Sequence, residues 1–334
     1  MSENSIILQI KNLSKDFEVK GRGLGGKKSV LHALKDISLD IREGEVLGII
    51  GESGCGKSTL GRCLVGLHKP TGGDILFEGK SILNLSSRER FELCKNIQMV
   101  FQDPYSSLDP RHTAADSVSE PMIVHKTVKG RKELEKKVLE LFHQVGLDIQ
   151  HMNRYPHEFS GGQRQRLNVA RAISIQPKVV VCDEPVSALD VSIQAQVINL
   201  LKGLQKKYHL TYVFISHDLS VVKYVSDRIA IMYLGQIVEL CSGGDIYKNP
   251  LHPYTKALLS AIPPESPDEN KERITLEGEI SSPIGDREGC ALAGRCPACM
   301  ERCKKEVPPL LSYGEEGHQV ACFLYESKIA QGGK

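Results

Sequence analysis

Apolar runs of strand length recur along this chain between polar and glycine-rich segments. Ile6-Ile-Leu-Gln-Ile10 and onward to Phe17 predicts a first β-strand, and Ile37-Ser-Leu-Asp-Ile41 a second. Between them, Gly21-Arg-Gly-Leu-Gly-Gly26-Lys-Lys28 reads as an exposed, flexible loop. Glu45-Val-Leu-Gly-Ile-Ile50 predicts a strand that runs through a glycine-rich segment into a helix opening at Thr59-Leu-Gly-Arg-Cys-Leu-Val65. Gly72 to Gly79 reads as turn, short strand and turn, and Ile97-Gln-Met-Val-Phe101 as a buried strand. From 103 to 175 the period becomes helical, as where Leu134, Val138, Leu141 and Phe142 share one face. Strands return at Val179-Val-Val-Cys182 and Tyr212-Val-Phe-Ile215, with a helical pattern from Ile193 to Leu204 between them. Alternating strands and helices argue an α/β fold with a mostly parallel sheet covered on both faces, and make 103–175 an inserted helical subdomain. Pro263-Pro-Glu-Ser-Pro267 breaks the pattern before a loop-rich tail, and no internal repeat is evident.

Composition narrows the class. A chain of 334 residues can bury one large α/β core and carry a smaller appendage. A net charge of +2 with 25% charged residues gives no electrostatic footprint for nucleic acid. No run of about 18 uncharged apolar residues predicts a bilayer span. Met1-Ser-Glu-Asn-Ser5-Ile-Ile-Leu8 lacks the basic region of a secretory signal, so a cytosolic protein is expected, with room for a membrane partner. Ten cysteines in that compartment are not a disulfide framework. Cys55, Cys63, Cys94, Cys182 and Cys241 are scattered and read as packing residues, whereas the other five cluster between 290 and 322.

Four segments carry chemistry. Gly51, Glu52, Ser53, Gly54, Cys55, Gly56, Lys57 and Ser58, followed by Thr59, fit G-x-x-x-x-G-K-[ST] in strand–loop–helix context. Backbone N–H groups of such a loop cradle phosphates, the lysine reaches the β- and γ-phosphates, and the serine hydroxyl ligates magnesium. Asp183 and Glu184 end an apolar strand. The first suits the magnesium shell and the second, on the other side of the strand, suits polarisation of an attacking water. His217 follows the strand ending at Ser216, at an edge where ligands of open α/β sheets gather, and is assigned to the γ-phosphate. Gln102 follows the strand at 97–101 and reads as a hinge that senses metal and water.

With Phe159-Ser160-Gly161-Gly162-Gln163-Arg164-Gln165 added, the chain resembles the ATP-binding subunits of ABC transporters from Ile6 to about Leu324. A serine and two glycines opening a helix from Arg164 to about Ile175 offer N–H donors and a positive dipole to an anion. The resemblance implies a P-loop ATPase cassette with an N-terminal antiparallel β part. It also implies two subunits facing head to tail, so that Ser160, Gly161, Gly162 and Gln163 of one cap the γ-phosphate held by the other. By the same resemblance Phe17 stacks on adenine, Asp190 of Ser187-Ala-Leu-Asp190 lines the dimer seam, and Ser58, Gln102 and Asp183 hold magnesium. No catalytic position departs from the family pattern, which implies hydrolysis of ATP with Lys57, Gln102, Glu184 and His217 as the catalytic set.

Asn249-Pro-Leu-His-Pro-Tyr254 with the helix expected from Tyr254 to Ile262, and Val100-Phe-Gln-Asp-Pro-Tyr-Ser-Ser-Leu-Asp-Pro-Arg111, are similar to segments of dipeptide, oligopeptide and nickel importers. This implies an ATPase domain over 6–245 and a C-terminal extension over 246–328. The implied partners are a paralogous ATPase, two permease subunits docked around 102–125 and an extracytoplasmic substrate-binding protein, with the chain on the cytoplasmic face of the membrane. Cys290, Cys296, Cys299, Cys303 and Cys322 have five, two, three and eighteen residues between neighbours. Four thiolates suit an iron–sulfur cluster or tetrahedral zinc. The importer resemblance assigns Cys290, Cys296, Cys303 and Cys322 to a [4Fe-4S] cluster, with Cys299 additional and His318 an alternative ligand. Two other functions remain open at this point: a nickel or metal-chelate importer, and a soluble ABC ATPase outside transport.

Overall fold

A computed structural model describes residues 5–20, 28–262, 273–279, 282, 284–285, 288–314 and 317–326. Of the expected loop at 21–28, residues 21–27 lie outside the described residues and Lys28 already opens a strand. The proline-rich break at 263–267 also lies outside the described residues. The chain forms two compact units that interleave in sequence. One holds Ser5, Arg42–Val46 and Asn84–Ser216; the other is drawn from Ile6–Ile41, Leu47–Leu83 and His217–Lys334.

In the first unit, three strands, Ile97–Val100, Val179–Asp183 and Thr211–Ser216, pair in parallel, with Ile97 opposite Val179 and Asp183 opposite Ile215. Every residue of Val179–Asp183 and Thr211–Ser216 is buried, as a parallel sheet covered on both faces requires. The helix Gly161–Ile173 packs on Ala114–Val124, Arg131–Gln144, Val191–Tyr208 and the strand Ile97–Val100. It therefore links the helical insertion to the sheet. The insertion starts later than its apolar pattern suggests, because 101–113 is a run of turns and the first helix opens at Ala114 on a Thr113–Asp116 capping box.

The second unit has a four-stranded sheet in the order Lys28–Arg42, Ile6–Lys20, Gly72–Phe77, Lys80–Ser81. Its antiparallel register sets Leu8 opposite Phe77, which is the antiparallel part that the family resemblance implies. A second set of strands pairs Val46–Ile50 in parallel with Arg228–Tyr233, then adds Gln236–Ser242, His318–Val320 and Leu311–Tyr313 antiparallel. Leu234 and Gly235, at φ 42 and 80, make the two-residue hairpin turn, whose backbone needs positive φ at both positions.

Several elements depart from the sequence expectation. The tail is more than loops, since Leu311–Tyr313 and His318–Val320 extend a sheet. The helix expected from Arg164 begins at Gly161, because Ser160 and Gln163 form a reciprocal capping box that starts the helix three residues sooner. The strand Lys28–Arg42 is three times the length of its apolar core at 37–41, and Gly72–Gly73 belongs to a strand rather than a turn. A helix at Ser87–Asn96 buries only Leu93, so its apolar period is too sparse to announce it.

Candidate nucleotide site

The cradle belongs to the second unit. Gly51 cannot be another residue: a Cβ there would lie 2.2 Å from Met232 O and 2.6 Å from Cys55 Sγ. Gly54 and Gly56 take φ of 78 and 104, and Gly56 caps the helix Lys57–Leu64. A glycine turn leading into a helix start is the arrangement that offers backbone N–H groups to an anion. Lys57 is 5% exposed, and its Nζ donates to Gly51 O at 2.7 Å and to Glu52 O at 3.0 Å. Cys55 Sγ lies 3.9 Å from that ammonium. Burial pushes the Cys55 thiol up, against the lowering influence of Lys57. Ser58 and Thr59 are half-buried in the first turn, while Ser53 and Gly54 are exposed. Phe17 is half-buried on the strand Ile6–Lys20, with Lys15 Nζ 4.9 Å above its ring and His68 edge-on at 5.5 Å.

The carboxylates belong to the first unit. Asp183 is buried at a strand end, and Glu184 follows at φ 46, a left-handed conformation held by its N–H donating to Ile215 O at 2.9 Å. Gln102 Nε2 donates to Glu184 Oε2 at 2.9 Å, so the expected hinge residue touches the expected base. Ser160, exposed, caps Gly161–Ile173: its Oγ accepts Gln163 N–H at 3.3 Å, and Gln163 Oε1 accepts Ser160 N–H at 3.0 Å. Gly162 lies against the Ile193 side chain, where a Cβ would come within 2.4 Å, and Gly161 lies against Leu189. The signature turn and the Ser187–Asp190 segment are thus packed together. Asp190 itself is exposed at the start of Val191–Tyr208. His217, in the second unit, is exposed just past the strand Thr211–Ser216.

Sequence reasoning missed the contacts behind the hinge. Asn168, on the signature helix, accepts Ser107 Oγ–H at 2.9 Å and donates to Pro104 O at 3.3 Å. Arg171, one turn on, donates to Ser107 O, and burial lowers its pKa. Two polar side chains on the buried face of an otherwise amphipathic helix were the available signal.

The five tail cysteines are electrostatic neighbours. Burial pushes Cys322 up to about 11, with Cys290, Cys296 and Cys303 adding to the rise. Burial also raises Cys290, Cys296 and Cys299. Among the described residues, however, no three His, Cys, Asp or Glu side chains converge in a geometry that could hold a metal ion. The expected four-thiolate centre is therefore not assembled in this structure. His318 is engaged elsewhere, its Nε2 lying 2.7 Å from Glu239 Oε1.

A cradle of this geometry with an acidic strand end and a capped signature helix defines a P-loop ATPase cassette. A family model for the ABC transporter matches residues 34–187, and one for the oligopeptide/dipeptide transporter C-terminal region matches 238–303. The chain is 48% identical over 323 residues to the putative oligopeptide transport ATP-binding protein YkfD of Bacillus subtilis, covering 96% of each. It is 47% identical over 320 residues to the di/tripeptide transport ATP-binding protein DppF of Pseudomonas aeruginosa, covering 96% of this chain and 98% of that one. Among solved structures, the dimeric post-hydrolysis state of the ATP-binding cassette MJ0796 bound to ADP and Pi matches with a TM-score of 0.63 and 30% identity, over 70% of this chain and 98% of that chain.

The chain belongs to the ATP-binding subunits of ABC transporters, in the branch that carries the oligopeptide/dipeptide transporter C-terminal region. It binds and hydrolyses ATP, as that family does. Among the described residues no helix is long and apolar enough to cross a membrane.

Proposed function

We propose that this chain powers the import of di- and oligopeptides through a membrane permease pair, with 6–245 as the motor and 246–328 as its extension. The names of the relatives and the C-terminal family support peptide cargo over a nickel or metal-chelate importer and over a soluble ATPase. Gly51 to Thr59 bind the triphosphate, Phe17 stacks on adenine, and Ser58, Gln102 and Asp183 supply the hydroxyl, amide and carboxylate oxygens that suit magnesium. A water held by Glu184 and Gln102 attacks the γ-phosphorus and Glu184 accepts its proton. The bond to the β-phosphate oxygen breaks, and ADP leaves. Lys57 and His217 stabilise the charge on the transferring group.

Ser160, Gly161, Gly162 and Gln163 act on the nucleotide of a partner ATPase, with Asp190 at the seam. The exposure of Ser160, of Asp190 and of the neighbouring Val191, 82% exposed, supports that assembly. Tyr105, Ile123 and Val124 are exposed apolar residues within 102–125, which suits docking on the permease pair at the cytoplasmic face. A paralogous ATPase and an extracytoplasmic binding protein complete the system. The thiol chemistry of Cys290, Cys296, Cys303 and Cys322 supports a [4Fe-4S] cluster, or zinc in its place, which would have to draw together side chains that do not converge in this structure. Either group would have to displace the protons of Cys290, Cys296 and Cys322, whose thiols burial pushes up. Anaerobically purified protein should carry iron and sulfide, and protein free of both iron and zinc would remove the metal reading.

The observation that carries the motor assignment is the 2.9 Å contact of Gln102 with a backbone-constrained Glu184. Glu184→Gln should keep MgATP binding and lose turnover by roughly a hundredfold or more, the scale of a general base. Steady-state hydrolysis at the wild-type rate in that variant would remove Glu184 from the mechanism.

A further inference from the structure

Two side chains from the C-terminal region close on the second residue of the phosphate cradle. Tyr254, fully buried, accepts the Glu52 N–H at its hydroxyl at 2.9 Å, and its ring packs on Tyr233 with centroids 4.5 Å apart. Arg295 Nη1 lies 3.3 Å from Glu52 Oε2 and 3.4 Å from Oε1, and donates to the Tyr233 hydroxyl at 3.2 Å. That guanidinium is only 13% exposed and its carboxylate partner 30%, so water screens the pair less than an ordinary surface bridge. The Glu52 carbonyl accepts Lys57 Nζ at 3.0 Å. The main-chain N–H and the carboxylate of Glu52 are thus engaged by residues beyond 250, and its carbonyl by the phosphate-binding lysine.

This arrangement answers two physical problems of the cradle. A glycine-rich loop loses conformational entropy when it orders around a triphosphate, and fixing Glu52 beforehand reduces that loss. A carboxylate beside a triphosphate site also repels its ligand, and Arg295 offsets that charge while drawing it aside. We propose that Tyr254 and Arg295 are positioning residues for the phosphate cradle, through which the C-terminal region sets the affinity for MgATP. The proposal rests on the reading of Gly51–Ser58 as the triphosphate site.

The test is steady-state MgATP hydrolysis by the full chain in its assembled transporter, with melting curves in parallel. Arg295→Gln should raise KM about fivefold, the effect of one well-placed charge pair, with kcat changed by less than about twofold. Arg295→Lys, which keeps the charge, should restore most of the affinity. Combining Glu52→Gln with Arg295→Gln should return KM to the value of Glu52→Gln alone, because the charge to be offset is gone. Tyr254→Phe should raise KM in the same sense at a similar melting temperature. An unchanged KM in Arg295→Gln, or a double variant no better than that single, overturns the proposal. Lys57→Ala separates the two readings: MgATP binding undiminished in that variant sinks the cradle assignment itself, whereas its loss beside an unaffected Arg295→Gln sinks only the role of the C-terminal region.

Discussion

Glu184 shows how a single residue is held for its task. At φ 46 it occupies a conformation that non-glycine residues rarely adopt, and the hydrogen bond to Ile215 O holds it there. The cradle uses the same device with glycine. At Gly56, φ is 104 and a Cβ would lie 2.4 Å from Ala33 O. Gly56→Ala must therefore shift the loop backbone, at a cost of about 2 kcal/mol or more in stability, and should weaken MgATP binding at least tenfold. Urea melts and nucleotide titration measure the two losses, and wild-type values for both would contradict the close approach. Such residues were legible because their partners are near in sequence or their spacing is fixed by phosphate geometry. Tyr254 and Arg295 were not, since they reach Glu52 across 202 and 243 residues. No local pattern records contacts at that separation.

At the scale of elements, helix starts decide much of the site. Ser160 and Gln163 begin the signature helix three residues before its apolar period does, which leaves the glycines inside its first turn. Ser86 and Glu89 make the same box at Ser87–Asn96, yet a helix burying one residue leaves too weak a period to be read. The strands Leu311–Tyr313 and His318–Val320 are three residues each, below the length at which alternation carries information. The helix Pro253–Ser260, by contrast, was anticipated closely, and its cap is unusual: His252 Nδ1 accepts Tyr254 N–H at 3.1 Å. That nitrogen must stay unprotonated, and burial lowers the His252 pKa to about 4. The unfolded chain then binds a proton at higher pH than the folded one does. The stability from neutral His252 is complete above an unfolded pKa of about 6.5, and falls as pH drops towards 4, by about 3 kcal/mol at most. Urea melts from pH 7 to 4 should show this slope, and His252→Asn, which keeps a capping acceptor that does not titrate, should flatten it.

On the scale of the whole chain, one compact unit gathers 6–41, 47–83 and 217–334, so its stability depends on contacts that close long loops. Glu239 is the clearest of these among the described residues. It is fully buried on the strand Gln236–Ser242; its Oε1 accepts Leu251 N–H at 2.7 Å and lies 2.7 Å from His318 Nε2, and its Oε2 accepts His252 N–H at 2.9 Å. One carboxylate thereby fixes the entry to the Pro253–Ser260 helix and the strand His318–Val320. These hydrogen bonds attach a tail poor in apolar residues to a sheet whose apolar residues lie elsewhere in the sequence. Glu239→Ala would leave two backbone N–H groups and an imidazole without their partner, a loss of about 3 kcal/mol or more. Tyr254 and Arg295 both lie downstream of that anchor, so the loss should propagate to the cradle: limited proteolysis should open 311–320 first, and KM for MgATP should rise in the same preparation. Protection of 311–320 at the wild-type level would mean that Glu239 does not secure the tail. Faster cleavage with an unchanged KM would mean that the tail is tied down by Glu239 but does not reach the nucleotide.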